Sequence, residues 1–220
     1  MICASLTEKS AELMVKAAGR TKADLVEVRL DFMKSQLDVE KLAKIKKPVI
    51  ATCMPSWEGG RFTGSEKERI ELLERALPFA SYVTIELNTK PLYRSRIIQE
   101  ARKKRVKAIV AYHDHKKTPK KSRIKAIISR ELRLGDIAKV AYTPKTSGDV
   151  LALLNALLEK KPGMKVIALS MGKLGRVTRI LGPLMGSYLT YGSVSKGKKA
   201  GSGQLTVDEL IKINAILNTH

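Results

Sequence analysis

Eight short runs rich in aliphatic and β-branched residues recur along the chain, separated by longer amphipathic stretches. The runs are ICASL (2–6), DLVEVRL (24–30), PVIATC (48–53), YVTIEL (82–87), VKAIVAY (106–112), IAKVAY (137–142), KVIALS (165–170) and SYLTYG (187–192). Between them lie helical patterns. TEKSAELMVKAAG opens on Thr7 as an N-cap and closes on Gly19. SEKERIELLERALPF has Ser65 as N-cap and an apolar face of Ile70, Leu72, Leu73, Ala76 and Leu77. SGDVLALLNALLEKKPG stops in lysines and Pro-Gly, and TVDELIKINAIL follows the eighth run. Strict alternation predicts a parallel sheet. Eight repeats predict closure into an α/β fold, a single (β/α)8 TIM barrel over residues 1–220, near the lower length limit for that architecture. The alternative is an open doubly wound sheet, but no G-x-G-x-x-G or Walker A pattern follows the first run. No linker or change in composition marks a second domain.

A closed barrel decides what an odd residue in the sixth run means. With a period of two, Ile137, Lys139 and Ala141 share one face of IAKVAY. On an edge strand Lys139 would point into solvent. A closed barrel has no edge, and inward residues near the C-terminal ends of its strands face the active-site mouth. Lys139 therefore reads as a functional lysine. Other polar residues recur at strand ends. EVRLD carries Glu27, Arg29 and Asp31, and Glu27 shares a face with Arg29, which suits a structural ion pair and a functional one equally. The third run leads into CMPSWEGGRF, where Glu58 and two glycines read as a mobile loop able to close over a ligand, and Trp57 as loop packing. The fifth run enters AYHDH, which sets His113 where a barrel carries an acid/base group and leaves His115 exposed. SMGKLGRVTRILG brings Gly172 and Gly175 beside Arg176 and Arg179, a pattern for anions. GSVSKGKKAGSGQ (192–204), ending in Gln204, reads as a flexible loop or a lid.

These residues point to one chemistry. A desolvated lysine gives up its proton more readily, and the free amine attacks ketones. The protonated imine withdraws electrons, so a histidine can take a proton from the next carbon. Lys139, His113 and the arginines together predict chemistry alpha to the ketone of a small anionic substrate. An aldolase acting on a phosphorylated sugar is the nearest rival, since SMGKLGR resembles a phosphate loop. A basic nucleic-acid-binding protein is a more distant one. Lys+Arg 42 against Asp+Glu 21 leaves a net charge of +21, but the basic clusters at 101–107 and 115–123 adjoin helical patterns and lack interleaved aromatics. A solvated surface accounts for them, and no nucleic acid partner is expected. No apolar run reaches the ~18 residues of a membrane span. The N-terminus lacks secretory features, and Cys3 and Cys53 have no metal-ligand spacing, so a soluble protein of the reducing cytoplasm with free thiols is expected.

The segments EVRLD, TCMPSWEGG, AYHDH, GDIAKVA, ALSMGKLGRVTR and GSGQ, in that order over residues 27–204, resemble those of the type I 3-dehydroquinate dehydratases of the shikimate pathway. The resemblance implies a (β/α)8 barrel, a homodimer, and no metal or organic cofactor. It makes Lys139 the imine-forming lysine, His113 the proton-transferring histidine, and Glu58 the carboxylate that orients and tunes that histidine. It gives Glu27 and Arg29 to the substrate hydroxyls, Arg179 to the substrate carboxylate, and Gln204 to a loop that closes over it. The implied reaction is loss of water from 3-dehydroquinate to give 3-dehydroshikimate. Two positions depart from the pattern. Met54 stands where the family has an arginine after the cysteine, and Ala200 stands where it has a serine four residues before the glutamine, with Ser202 out of register. Both bear on affinity and specificity more than on imine chemistry. Arg61, just past EGG, is expected to swing inward and substitute in part for the arginine absent at Met54.

Overall fold

A computed structural model describes residues 1–35, 38–197 and 200–217. The eight expected strands form, as β1 (Ile2–Leu6), β2 (Leu25–Arg29), β3 (Val49–Thr52), β4 (Tyr82–Glu86), β5 (Lys107–Asp114), β6 (Ile137–Tyr142), β7 (Val166–Ser170) and β8 (Thr190–Ser193). Among the described residues eight α-helices surround them: α1 (Ala11–Arg20), α2 (Glu66–Ala76), α3 (Pro91–Lys103), α4 (Lys121–Leu134), α5 (Ser147–Leu158), α6 (Gly172–Gly175), α7 (Thr178–Leu184) and α8 (Val207–Leu217). The strands pair in parallel in the order β7-β6-β5-β4-β3-β2-β1-β8, the topology of a (β/α)8 barrel.

Closure is less complete than the alternation predicts. Among the described residues no ladder joins β7 to β8. The Tyr188 N–H donates to the Val166 carbonyl at 2.7 Å instead. Ser187 Oγ accepts the Ala168 N–H at 3.3 Å and lies 3.1 Å from the Leu189 carbonyl. Residues 187 and 188, expected in the eighth strand, thus stitch the seam, and β8 starts at Thr190.

The connections also depart from eight identical units. After β2 the chain makes 3-10 turns at Leu30–Phe32 and Val39–Lys44. The reason is spacing: buried Val39, Leu42 and Ile45 fall every three residues, the eclipsed repeat of a 3-10 helix. After β7 the helix is divided into α6 and α7. Helix α1 is capped by Ser10, whose side chain accepts the Leu13 N–H, and not by Thr7, and it runs through Gly19 to Arg20. Ser65 caps α2 with a complete capping box to Glu68, as its spacing predicts.

Inside the barrel the period of two carries each strand from apolar to polar as it rises. Leu25 gives way to Glu27 and Arg29, Ile50 to Thr52, Ile109 to His113 through Ala111, and Ile137 to Lys139. The apolar floor holds Cys3, Leu25, Ile50, Ile109, Ile137, Ile167 and Leu189. Floor packing makes the barrel a filled core, and the polar residues above it form the site. None of the described helices is long and apolar enough to cross a membrane, and Cys3 and Cys53 are buried free thiols.

Candidate active site

Lys139 projects from the middle of β6 into the barrel, between Ala111 of β5 and Ile167 of β7 in register. It is 7% exposed, so the solvent-facing alternative does not hold. Small Ala111 and Ala141 leave room above the floor. Lys139 Nζ donates to Glu27 Oε1 at 3.3 Å and lies 4.2 Å from the centre of the Tyr191 ring. Burial pushes the Glu27 carboxyl up, but Lys139 and Arg29 outweigh it and hold the group below its ordinary value. Glu27 is therefore a buried carboxylate. Ser5 Oγ donates to its Oε2 at 3.3 Å, and Thr52 Oγ1 lies 3.1 Å from its Oε1.

His113, at the end of β5, meets Glu58 twice. Its backbone N–H donates to Glu58 Oε1 at 2.9 Å, and its ring Nδ1 lies 3.1 Å from the same oxygen. With Glu58 ionised, Nδ1 carries the proton and Nε2 keeps the lone pair. Burial first, and then the charge of Lys139, hold His113 well below the usual histidine range, so the ring is a neutral base near pH 7. Burial raises the Glu58 carboxyl to about 7. His115 is exposed as expected, yet its Nε2 lies 3.0 Å from the Glu58 carbonyl and its ring stacks on His113 at 6.3 Å.

Backbone hydrogen bonds hold the loop bearing Glu58 in this structure. Phe62 N–H donates to the Met54 carbonyl at 3.2 Å, and Gly60 N–H to Pro55 at 2.9 Å. A Cβ on Gly60 would sit 2.0 Å from the Met54 carbonyl oxygen, so close approach of backbone explains that glycine. Trp57 is 51% exposed and packs little.

Arginines take three different places. The Arg29 guanidinium is held by Asp31 in a bidentate pair at 2.8 and 2.7 Å. Arg179, buried on α7, donates to the Tyr191 carbonyl at 3.3 Å and the Ser202 carbonyl at 3.4 Å, while its Nε has no partner among the described residues. Burial, with Arg176 adding to it, lowers Arg179 to about 10. A buried guanidinium served only by carbonyls has capacity left to receive an anion. Arg176 itself is exposed. Arg61 does not enter the cavity. It is exposed, lies 4.1 Å over the Phe32 ring, and gives its backbone N–H to Asp31 at 3.0 Å. No cation replaces Met54 on the cavity wall from that loop.

The last loop closes the arrangement. Gln204 Nε2 donates to Ser5 Oγ at 3.1 Å, and the Ala200 N–H donates to Gln204 Oε1 at 2.9 Å. Residue 200 thus acts through its backbone. Residues 198–199 of this loop lie outside the described residues. One cavity at the C-terminal mouth is lined by Glu27, Arg29, His113, Lys139, Arg179 and Gln204, together with Ser5, Thr52, Met54, Thr84, Glu86 and Tyr191. Glu58 touches it through His113. Sequence reasoning passed over Ser5, Thr52 and Thr84, although the period of two sets each on the inner face near a strand end. It also passed over Glu86 and Tyr191. Among the described residues no group of three His, Cys, Asp or Glu side chains could hold a metal.

Comparison with known proteins agrees with this geometry. A sequence model of the family described as type I 3-dehydroquinase matches residues 2–220. The 3-dehydroquinate dehydratase of Methanocaldococcus jannaschii is 39% identical over 218 residues, covering 97% of this chain and 97% of its own. The crystal structure of 3-dehydroquinate dehydratase from Geobacillus kaustophilus superposes with a TM-score of 0.89 at 28% identity, covering 100% of this chain and 91% of that one. A type I 3-dehydroquinate dehydratase from Clostridium difficile, solved with covalently modified comenic acid, gives a TM-score of 0.87 at 27% identity, covering 98% and 91%.

Proposed function

The chain belongs to the type I 3-dehydroquinases, and on that premise we propose that it removes water from 3-dehydroquinate to give 3-dehydroshikimate through an imine on Lys139. The single observation that carries this reading is the Lys139 amine, buried in an apolar strand beside Glu27 and facing one cavity with the neutral base His113. With this family and with relatives that are 3-dehydroquinate dehydratases, the enzyme is a hydro-lyase.

Attack on the ketone needs the neutral amine, and the neutral ring of His113, in the same cavity, relays protons as the imine forms and is hydrolysed. The carbinolamine loses water to give a protonated imine, which has the single positive charge that the ammonium had. His113 Nε2 takes a proton from the adjacent carbon, and the electron pair moves toward the imine nitrogen. The hydroxyl one carbon further leaves as water, taking the proton back from His113. Water then cleaves the imine and regenerates Lys139. Glu58 holds Nδ1 and so keeps Nε2 basic. Arg179 supplies the charge for the substrate carboxylate, Gln204 shields it, and Glu27 and Arg29 serve the hydroxyls. Arg61 is left out of this scheme, since in this structure its guanidinium lies over Phe32 outside the cavity. The reading includes one catalytic barrel over the whole chain, acting in the cytoplasm as a homodimer, with no cofactor and with a small anionic molecule as its substrate.

The test is turnover. The purified protein should convert 3-dehydroquinate to a conjugated enone, followed by its ultraviolet absorbance, and Lys139→Ala should lose nearly all of it. Cleavage of sugar phosphates with no action on dehydroquinate would replace this reading with an aldolase.

A further inference from the structure

Tyr191 is a residue whose chemistry the scheme above leaves unused. It lies on β8, paired in register with Cys3 of β1, and is 3% exposed. Its hydroxyl is buried and has no hydrogen-bond partner among the described residues. A buried hydroxyl without a partner is costly, so the position is not explained by the phenol oxygen. The ring is engaged instead. Its face lies 4.2 Å from Lys139 Nζ, well inside the range of cation–π attraction. Its backbone carbonyl accepts Arg179 at 3.3 Å.

Resting on the imine reading, we propose that the Tyr191 ring is a catalytic group that keeps the imine nitrogen protonated. The nitrogen of a Lys139 imine occupies the place of Nζ, over the same ring face. Only the protonated imine is an electron sink strong enough to release the neighbouring C–H. The charged groups around that nitrogen are few. Glu27 at 3.3 Å favours the cation. His113 and Arg29, which bears on both Glu27 and His113, oppose it when charged. Glu58 and Cys3 also feel the Lys139 charge, but burial pushes both toward their neutral forms. From β7 the neighbour is Ile167, which contributes no charge. With Arg29 already committed to Asp31, Glu27, Glu58 when it is ionised, and the Tyr191 ring stabilise positive charge at the nitrogen. The ring face does so through its π electrons, and burial holds the phenol in its protonated form, so the residue takes no proton from the sink.

A graded change of the ring tests this with the fold left intact. Residue 191 is replaced in turn by phenylalanine carrying no, one, two or three fluorines, which drains the ring face while preserving its shape. Cyanoborohydride, which reduces protonated imines in preference to neutral ones, is added at saturating product, and the reduction rate is followed against pH. Tyr191→Phe, which keeps the ring face, sets the reference midpoint for the series. Along the fluorinated series the pH at which reduction falls by half should step downward, by about 0.4 to 1.5 pH units in total, the equivalent of an ordinary cation–π contact. Reduction at Lys139 with one unchanged midpoint across the series would overturn this inference and leave the imine reading standing. No adduct at Lys139 in the parent or any variant would overturn both.

Discussion

Glu58 decides when His113 is a base. Its burial raises the carboxyl to about 7, so below that pH the protonated form prevails and the Nδ1 proton loses its anionic acceptor. Activity should therefore rise as pH increases through about 7. Glu58→Gln keeps an amide oxygen for Nδ1 but removes the titration. In pH–rate profiles this variant should be slower and should lack the acidic limb near 7. An unchanged limb would assign that ionisation elsewhere, with Glu86 the next candidate, since burial also raises it to about 7. For His113 itself, His113→Ala should lower kcat by about 10²- to 10⁴-fold, the usual worth of acid–base catalysis, while an imine at Lys139 still forms slowly. Near-normal turnover would shift the role to His115, whose ring stacks on that of His113.

Whole elements are held at the mouth by contacts that carry consequences. Arg69 of α2 is fully buried and reaches Glu86 of β4 at 2.6 Å, Cys53 at 3.1 Å and Thr89 at 2.8 Å. Arg69→Ala would strand Glu86, and breaking such a pair costs about 3 to 5 kcal/mol. Without Arg69 the Glu86 carboxyl must stay protonated in the fold while it ionises freely when unfolded. Stability is then lost further as pH rises, so chemical denaturation should show a larger deficit at pH 8 than at pH 6. The last loop is docked by a different device. Gly203 has φ +77°, and a Cβ there would lie 2.1 Å from the Gly172 carbonyl oxygen. Gly203→Ala should push the loop off α6, loosening Gln204 and the Ser202 carbonyl from their partners, and raise KM more than it lowers kcat. Equal losses in both would point to a wider collapse. Much of this was legible beforehand. Lys139 and Glu27 stood out because a period of two on a covered strand leaves no neutral explanation for an inward charge. His113 stood out because its run ends at the mouth. Arg61 lies outside the cavity in this structure, at a position that depends on where a 3-10 turn sets the Phe32 ring, which no local pattern specifies. Tyr191 was missed for a similar reason: a tyrosine in an apolar run looks like core, and only closure of the barrel brings β8 opposite β6.

For the molecule as a whole, the mouth gathers side chains from all eight strands, so function depends on a barrel whose β7–β8 seam is bridged, among the described residues, by hydrogen bonds of Ser187 and Tyr188. The outer surface carries most of the excess charge, and the net +21 acts at long range on an anionic substrate. Raising ionic strength should therefore lower kcat/KM while leaving kcat nearly unchanged. A flat salt profile would confine the charge to solubility. Sedimentation should give twice the 24.3 kDa of the chain if the homodimer forms. The central claim concerns one bond. Borohydride added to the enzyme with 3-dehydroquinate should reduce the imine to a stable secondary amine, and peptide mass mapping should place the added mass on Lys139. An adduct on another lysine, or turnover with no adduct under trapping conditions, would contradict the account.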